Sequence, residues 1–155
     1  MRKLLLPFVL LAFVFLSFRF IKTSITPSDS DITWTTDFAQ ALKDAKKDKK
    51  LLLVDFTGSD WCGWCIRLDN EVFSKEEFAK YAEKNLVLVK IDFPKRKAQS
   101  SEEKARNNKL AQKYGVQGLP TILLMDADEK VILQTGYQPG GPEAYIKHLE
   151  DARKN

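Results

Sequence analysis

Two cysteines three positions apart are the residues of this sequence best suited to chemistry. Cys62 and Cys65 are its only cysteines, and they stand in the segment WCGWC, a few residues after an apolar stretch over residues 51–56. Side chains three residues apart on a helix are about 5–6 Å from each other, which permits a disulfide after a small adjustment. Such a disulfide closes a very short loop and therefore stabilises the fold little. The spacing favours a pair that cycles between dithiol and disulfide.

The order of the two cysteines indicates which of them reacts first. If the motif opens a helix, the sulfur of Cys62 lies near unpaired N–H groups at the positive end of the helix dipole. Both favour the thiolate, and a thiol with an ordinary pKa of about 8.5 falls to roughly 3.5–7.5 in such settings. We predict that Cys62 exchanges with the substrate and that Cys65, one turn inward, resolves the mixed disulfide.

A cysteine pair can also bind zinc or attach haem, and both uses need further residues that the sequence can be searched for. A structural zinc site needs four ligands, whereas His148 is the only histidine and no further cysteine exists. Covalent haem attachment needs a histidine directly after the second cysteine, where this chain has Ile66. We therefore expect no metal and no cofactor. An inert structural disulfide, or two buried thiols, remains an open alternative.

The first 22 residues have the composition of an export segment. They contain four basic residues, no acidic residue and an apolar run over residues 4–18. About 15 apolar residues match the core of a signal peptide and fall short of the ~20 that span a bilayer easily. Extension through residues 20–21, with flanking cations at the interface, would instead give a short anchor. We predict a signal peptide or N-terminal membrane anchor over residues 1–23, and a protein that is periplasmic or anchored facing the periplasm.

The remaining charge is balanced. The chain has 25 Lys and Arg against 21 Asp and Glu, and four of the basic residues lie in the export segment. The basic sequence pI of about 9.0 therefore does not indicate nucleic-acid binding. We expect a monomer that meets the membrane only through its N-terminal segment, if that segment is not cleaved.

The pattern of apolar residues predicts an α/β domain over residues 34–155, after a polar linker over residues 24–33. Its predicted order is α-β-α-α-β-α-β-β-α. The predicted helices start at residues 36, 62, 74, 101 and 143, and the predicted strands cover residues 51–56, 86–91, 121–125 and 130–135. Ser74 and Glu77 are predicted to form a capping box, and Gly115 is predicted to stop the fourth helix.

The chain resembles the thioredoxin superfamily over nearly all residues after Ile32. Residues 53–56 followed by 61–65 are similar to its strand and active-site segment, and residues 114–121 are similar to its second signature, which carries a cis-proline. Gly136 matches a glycine of the last hairpin. The resemblance implies a thioredoxin fold, in which helices flank a mixed central sheet, and a redox disulfide between Cys62 and Cys65. The closest likeness is to secreted bacterial members of the superfamily.

The resemblance also implies roles for residues around the dithiol. Asp55, inside an apolar strand, would have a raised pKa and would take the proton of Cys65 during resolution; strand alternation also allows it to face solvent. Pro120, if cis, would present the Leu119 backbone to an extended substrate strand. Leu119 and Pro120, with three residues from the active-site motif, form the predicted substrate-binding set: Trp61, Gly63, Trp64, Leu119 and Pro120.

Two departures from the family pattern affect the prediction of redox direction. Trp64 replaces the usual proline or histidine at the second variable position of the motif, which leaves the reduction potential open. The lysine that often accompanies the buried acid in this family has no definite equivalent here, and Lys90 is a candidate for it.

We therefore predict a thiol–disulfide oxidoreductase of the cell envelope, acting as a reductant or isomerase on protein thiols and disulfides. A membrane electron donor would supply its electrons. The alternative is a non-catalytic binding or chaperone module of the same fold, in which the disulfide only gates partner binding.

Overall fold

A mixed five-stranded sheet forms the centre of the computed structural model, which describes residues 32–154. Its strands are β1 (Trp34–Thr35), β2 (Leu51–Thr57), β3 (Leu86–Asp92), β4 (Thr121–Met125) and β5 (Val131–Thr135). The strand order is β1-β3-β2-β4-β5, with the first three parallel and the last two antiparallel to their neighbours. The predicted fold class, an α/β fold with a mixed sheet, is confirmed.

Five α-helices cover the two faces of this sheet. They are α1 (Phe38–Asp48), α2 (Gly63–Leu68), α3 (Glu76–Asn85), α4 (Ser101–Lys113) and α5 (Gly141–Arg153). A π-helical segment, Asp69–Phe73, continues α2 directly. We call this stretch the π segment.

The central strand β2 is buried on both faces, which explains its nearly continuous apolar sequence. Leu53 belongs to a core cluster that contains residues of α2, the π segment, α3 and α5. Its neighbours Leu52 and Val54 belong to a second cluster, built on α1 and flanked by residues of α4. Because side chains alternate along a strand, every second residue of β2 lies on the α2 face of the sheet. This alternation decides the surroundings of Asp55.

Several predicted boundaries are confirmed by local hydrogen bonds. Asp37 caps α1, with its carboxylate Oδ1 accepting from the backbone N–H of Gln40 at 3.0 Å. Gly115, with φ of +62°, follows the end of α4 as predicted. The strand β1 is absent from the predicted order because two residues carry no readable alternation.

The predicted capping box at Ser74 and Glu77 is wrong. The α2 helix was expected to end near residue 70, but the π segment extends the helical path to Phe73. Ser74 then lies at the end of that path, and its hydroxyl donates to the backbone oxygen of Asn70 at 3.2 Å. Lys75 precedes α3 instead and makes no side-chain capping bond.

The α4 helix begins at Ser101 as predicted, and Ser100 caps it, because its Oγ accepts from the backbone N–H of Glu103 at 3.1 Å. The last helix begins at Gly141, two residues before the predicted start.

The predicted export segment, residues 1–23, and residues 24–31 of the predicted linker lie outside the described part of the chain. Within residues 32–154, no helix has both the length and the apolar character needed to cross a membrane.

Candidate active site

The dithiol lies where β2 leads into α2. Cys62 is the N-cap of α2, and its Sγ accepts from the backbone N–H of Cys65 at 3.3 Å. The two sulfurs are joined in a disulfide, and the two Cα atoms are 5.2 Å apart. Cys62 and Cys65 are 7% and 4% exposed, so the oxidised pair presents only a small part of its surface to solvent. Within residues 32–154, no group of three or more His, Cys, Asp or Glu side chains is arranged to hold a metal ion.

The turn before the dithiol is fixed by the backbone of Gly58. Its carbonyl accepts from the N–H groups of Trp61 and Cys62, at 3.2 and 2.9 Å. The indole of Trp61 lies directly on Gly58: a Cβ built at this glycine would be 2.7 Å from two of its ring atoms. The absence of a side chain at position 58 therefore allows Trp61 to fold back beside Cys62.

Asp55 is buried in the centre of the sheet, where it is 4% exposed. Burial raises the pKa of its carboxyl to about 7. The nearby Lys90 ammonium opposes this rise, whereas the carboxylates of Asp69 and Asp92 add to it. The Oδ1 atom of Asp55 is buried without a hydrogen-bond partner.

Asp55 shares the face of β2 on which the active-site helix packs. It lies two residues after Leu53, which is in one core cluster with Leu68 of α2. Cys65 lies three residues before Leu68 and therefore on the same inward side of that helix. The buried carboxyl of Asp55, on β2, and the buried Cys65, on α2, therefore lie on the two sides of the same interface between the sheet and the helix.

Lys90 is the cross-strand neighbour of Asp55 in the parallel β2–β3 pair. Its ammonium lies 3.6 Å from Asp69 of the π segment and 4.8 Å from the ring centre of Trp34. Lys90 therefore acts on Asp55 through the electric field, while its own contacts are with other groups.

The Leu119–Pro120 peptide bond is cis. Leu119 is half-buried and packs against the core cluster on the α1 face of the sheet. A Cβ at Gly136 would be 3.1 Å from the Pro120 carbonyl oxygen, so the chain after β5 passes close to the proline. Thr121 closes the preceding turn, with its hydroxyl donating to the Gly118 carbonyl at 2.7 Å.

Trp61 borders one side of the dithiol and is 39% exposed. Its indole N–H donates to the backbone oxygen of Phe93 at 2.7 Å, and the ammonium of Lys95 lies 3.6 Å from its ring centre. The ring of Trp61 is therefore held at the surface by polar contacts.

Trp64 lies between the two cysteines in the motif and is 55% exposed. Its ring lies 5.2 Å from that of Tyr137, and the guanidinium of Arg67 lies over both rings at 5.5 and 5.2 Å. Glu71 accepts from Arg67 at 2.8 Å and from the Tyr137 hydroxyl at 2.6 Å. Gly63, the first residue of α2, has open space around its Cα and is exposed.

The contacts of Asp60 and Tyr137 were missed by sequence reasoning. Asp60 accepts backbone N–H bonds from Lys95, Arg96 and Lys97 at 3.0, 2.7 and 3.0 Å, across about 35 residues of sequence. No periodic pattern connects residues so far apart. The only available signal is an acidic residue before the dithiol and a basic run after the next strand.

Comparison with known proteins agrees with this geometry. The family described as thioredoxin-like domain matches residues 38–153. The disulfide bond reductase DsbH of Chlamydia pneumoniae is 35% identical over 125 residues, which cover 81% of this chain and 75% of that protein. The thioredoxin-related protein DsbJ of Chlamydia pneumoniae is 34% identical over 109 residues, which cover 70% of this chain but 31% of that protein.

A solved structure titled DsbH oxidoreductase superposes on this fold with a TM-score of 0.75. The two chains are 36% identical, and the superposition covers 79% of this chain and 85% of the other. Sequence and structure therefore agree on the family.

The burial of Asp55 predicts how stability depends on pH. Because its pKa is raised from 3.8 to about 7, ionisation costs the folded oxidised protein free energy that the unfolded chain does not lose. The penalty is absent below about pH 4, grows as the pH rises to 7, and is full above it. Asp55→Asn should raise the free energy of unfolding by about 2–4 kcal/mol at pH 8 and by little at pH 4.

Urea denaturation of the oxidised protein across this pH range measures the effect. Asp48→Asn, at an exposed position, is the matched control and should change stability little at any pH. An Asp55→Asn gain that is equal at pH 4 and pH 8 would contradict the assignment.

The contact between Gly58 and Trp61 gives a second prediction. Gly58→Ala should displace the indole, break its bond to Phe93, shift the tryptophan emission and cost about 1–2 kcal/mol of stability. Gly118→Ala is the control, because open space surrounds a Cβ at that position. Unchanged emission in Gly58→Ala would show that the turn adjusts instead of the indole.

Proposed function

Because the chain belongs to the thioredoxin-like family and is a thiol–disulfide oxidoreductase, we propose that it reduces disulfides in exported polypeptides through a Cys62–Cys65 cycle. The observation that carries the proposal is the buried carboxyl of Asp55 on the sheet face beneath the dithiol. A carboxyl with a pKa of about 7 can accept and return a proton near neutral pH. An inert structural disulfide has no use for such a group.

In the reduced enzyme, the thiolate of Cys62 attacks one sulfur of the substrate disulfide. A bond forms between Cys62 and that sulfur, the substrate disulfide breaks, and the other substrate sulfur leaves as a thiolate. The bond from the Cys65 N–H to the Cys62 sulfur stabilises negative charge on Cys62 before the attack. Cys62 is therefore the nucleophile in our proposal.

Cys65 completes the reduction. Its thiol gives a proton to the Asp55 carboxylate, directly or through a relay, and the resulting thiolate attacks the sulfur of Cys62. The Cys62–Cys65 disulfide forms, and the second substrate sulfur leaves and takes up a proton. Two electrons have then moved from the enzyme to the substrate, and the enzyme is in the oxidised form seen in the structure.

The exposed surface around this pair is suited to an extended polypeptide. We assign Trp61, Gly63 and Trp64 on one side of the sulfurs, and Leu119 and Pro120 on the other, to the substrate groove. The backbone of Leu119 would pair with a substrate strand by β-augmentation, and the indole rings would contact its side chains.

Two further features belong to the proposal. A return to the reduced form needs a dithiol donor, for which we propose a membrane electron donor, and the cycle is complete in a monomer. The apolar run over residues 4–18 supports export, by a cleaved signal peptide or an anchor, to the periplasmic side of the membrane. The name of the Chlamydia relative, disulfide bond reductase, supports the direction of electron flow.

Two cysteine variants test the cycle in opposite ways. Cys62→Ser should abolish the acceleration that the protein gives to the reduction of insulin by dithiothreitol. Cys65→Ala should accumulate a mixed disulfide between Cys62 and the substrate, visible by mass spectrometry. Full activity in Cys62→Ser would overturn the enzymatic proposal in favour of a binding module. A reduction potential above about −150 mV, measured against glutathione, would reverse the proposed direction.

Asp55→Asn tests the proton acceptor. Decay of the mixed disulfide, followed by stopped flow, should slow by about 10²-fold at pH 8, because Cys65 loses its general base. The wild-type rate should rise with pH through about 7, as the carboxyl ionises, and the variant should lack this rise. Asp48→Asn should behave as the wild type; a variant profile that keeps the inflection would remove Asp55 from the mechanism.

A further inference from the structure

The loop after β3 carries three consecutive basic residues beside the dithiol. Lys95, Arg96 and Lys97, which we call the cationic loop, are all exposed. The structure brings this loop next to Trp61, the residue that precedes Cys62.

Asp60 fixes the position of the cationic loop. Its carboxylate accepts the three backbone N–H groups of the loop, at 2.7–3.0 Å. These bonds, the one from Lys95 most of all, lower the pKa of Asp60, and the charge of the nearby Lys97 ammonium lowers it further. Asp92 accepts from the N–H and hydroxyl of Ser59 at 2.9 and 2.6 Å, which joins the end of β3 to the same turn. The loop is thus attached to the active-site turn through its backbone, while its three residues remain exposed.

The charge of these side chains is not neutralised by ion pairs. Among residues 32–154, none of the three forms an ion pair with a carboxylate within 4.0 Å. Lys95 lies over the Trp61 ring, and Lys97 contacts the Ser59 hydroxyl at 3.4 Å. The cation beside Trp64, by contrast, is Arg67, which is paired with Glu71. The surface beside Trp61 therefore carries cations that form no ion pair, whereas the cation beside Trp64 is paired.

Large apolar side chains of the motif and its helix are also accessible. Trp61, Trp64 and Ile66 are the large apolar side chains most exposed around the cysteines, at 39%, 55% and 40%. An exposed apolar patch with a single-sign charged border is typical of a binding surface for a partner of opposite charge.

We propose that the cationic loop selects substrates: it binds acidic side chains that lie close to the reactive cysteine of the polypeptide, while the indole rings contact apolar neighbours. This inference rests on the proposed function and specifies its substrate class, disulfide-bonded polypeptides with Asp or Glu near the target sulfur. The attraction between the cationic loop and an acidic substrate increases both the rate of association and the affinity. Because dissolved salt screens this attraction, the preference for acidic substrates should weaken as the salt concentration rises.

Three disulfide-linked peptides test the selection. They share length and sequence, except that two residues beside the target cysteine are both Glu, both Gln or both Lys. In a single turnover in 0.05 M NaCl, the pre-reduced wild-type protein should reduce the Glu peptide about tenfold faster than the Lys peptide, measured as the second-order rate constant. The ratio should fall to about twofold in 0.5 M NaCl.

Loop variants should change this preference without removing the chemistry. The triple variant Lys95→Gln, Arg96→Gln, Lys97→Gln should lose it, and Lys95→Glu, Arg96→Glu, Lys97→Glu should invert it. Both should reduce the Gln peptide within about twofold of the wild type, because the backbone bonds to Asp60 remain. The matched control Lys43→Glu, Lys47→Glu, Lys109→Glu reverses three exposed charges on α1 and α4 and should retain the wild-type preference.

Each other outcome overturns the inference in a distinct way. Equal rates for the three peptides would show that the loop does not select. An equal loss of preference in the control variant on α1 and α4 would assign the effect to the net charge of the protein. A loop variant that loses as much rate on the Gln peptide as on the Glu peptide would assign the effect to the reactivity of the Cys62 thiolate. Wild-type protein that sediments with phosphatidylglycerol vesicles and shows no peptide preference would assign the loop to lipid. Failure to reduce even the Gln peptide would instead contradict the proposed function.

Discussion

The buried carboxyl of Asp55 is the constraint around which the rest of this structure is arranged. A charge-bearing group in the centre of a sheet costs free energy, and its raised pKa measures that cost. The cost is offset by the apolar residues that surround it on the same strand and on both faces of the sheet. Lys90 is close enough to moderate the pKa but is engaged by Asp69. The carboxyl therefore keeps an unsatisfied oxygen and remains available to exchange a proton with the helix above it.

A second carboxylate organises the outer side of the site by the opposite means. Asp60 is satisfied by three backbone N–H groups, so its charge is stabilised and its lone pairs are occupied. It therefore anchors the loop, whereas Asp55 is the group to which the proposed mechanism assigns the role of base. The segment from β2 to α2 thus contains one carboxyl whose charged form is destabilised by burial and one whose charged form is stabilised by backbone hydrogen bonds, five positions apart. Their different surroundings, and not their residue type, decide their roles.

The sequence predicted the parts of this arrangement that depend on local pattern. The apolar run over residues 51–56 indicated the central strand, the C-x-x-C spacing indicated the dithiol, and Asp37 and Gly115 marked helix boundaries correctly. The predicted capping box at Ser74 is wrong because a π segment extends the preceding helix. A π-helical segment of only five residues has no signature in apolar periodicity. The bonds from Asp60 to the loop after β3 depend on tertiary packing, so no local pattern could reveal them. The burial of Asp55 lies between these cases: its position in an apolar strand suggested it, and packing on both faces decided it.

The two tryptophans of the motif illustrate how neighbours give different properties to similar side chains. Trp61 is held by a hydrogen bond from its indole and carries a lysine on its face, so its environment is cationic. Trp64 stacks near Tyr137 above an arginine whose charge is balanced by Glu71, so its environment is neutral. Because Trp64 packs outward on Tyr137 and Arg67, it extends the apolar surface beside the sulfurs. A residue at this position that faces the groove acts on the substrate as well as on the dithiol. The WCGWC motif then gives the enzyme an exposed aromatic surface with cations that form no ion pair beside one of its two indoles. Under the proposed selection, a polypeptide bound there would be oriented by its own acidic residues.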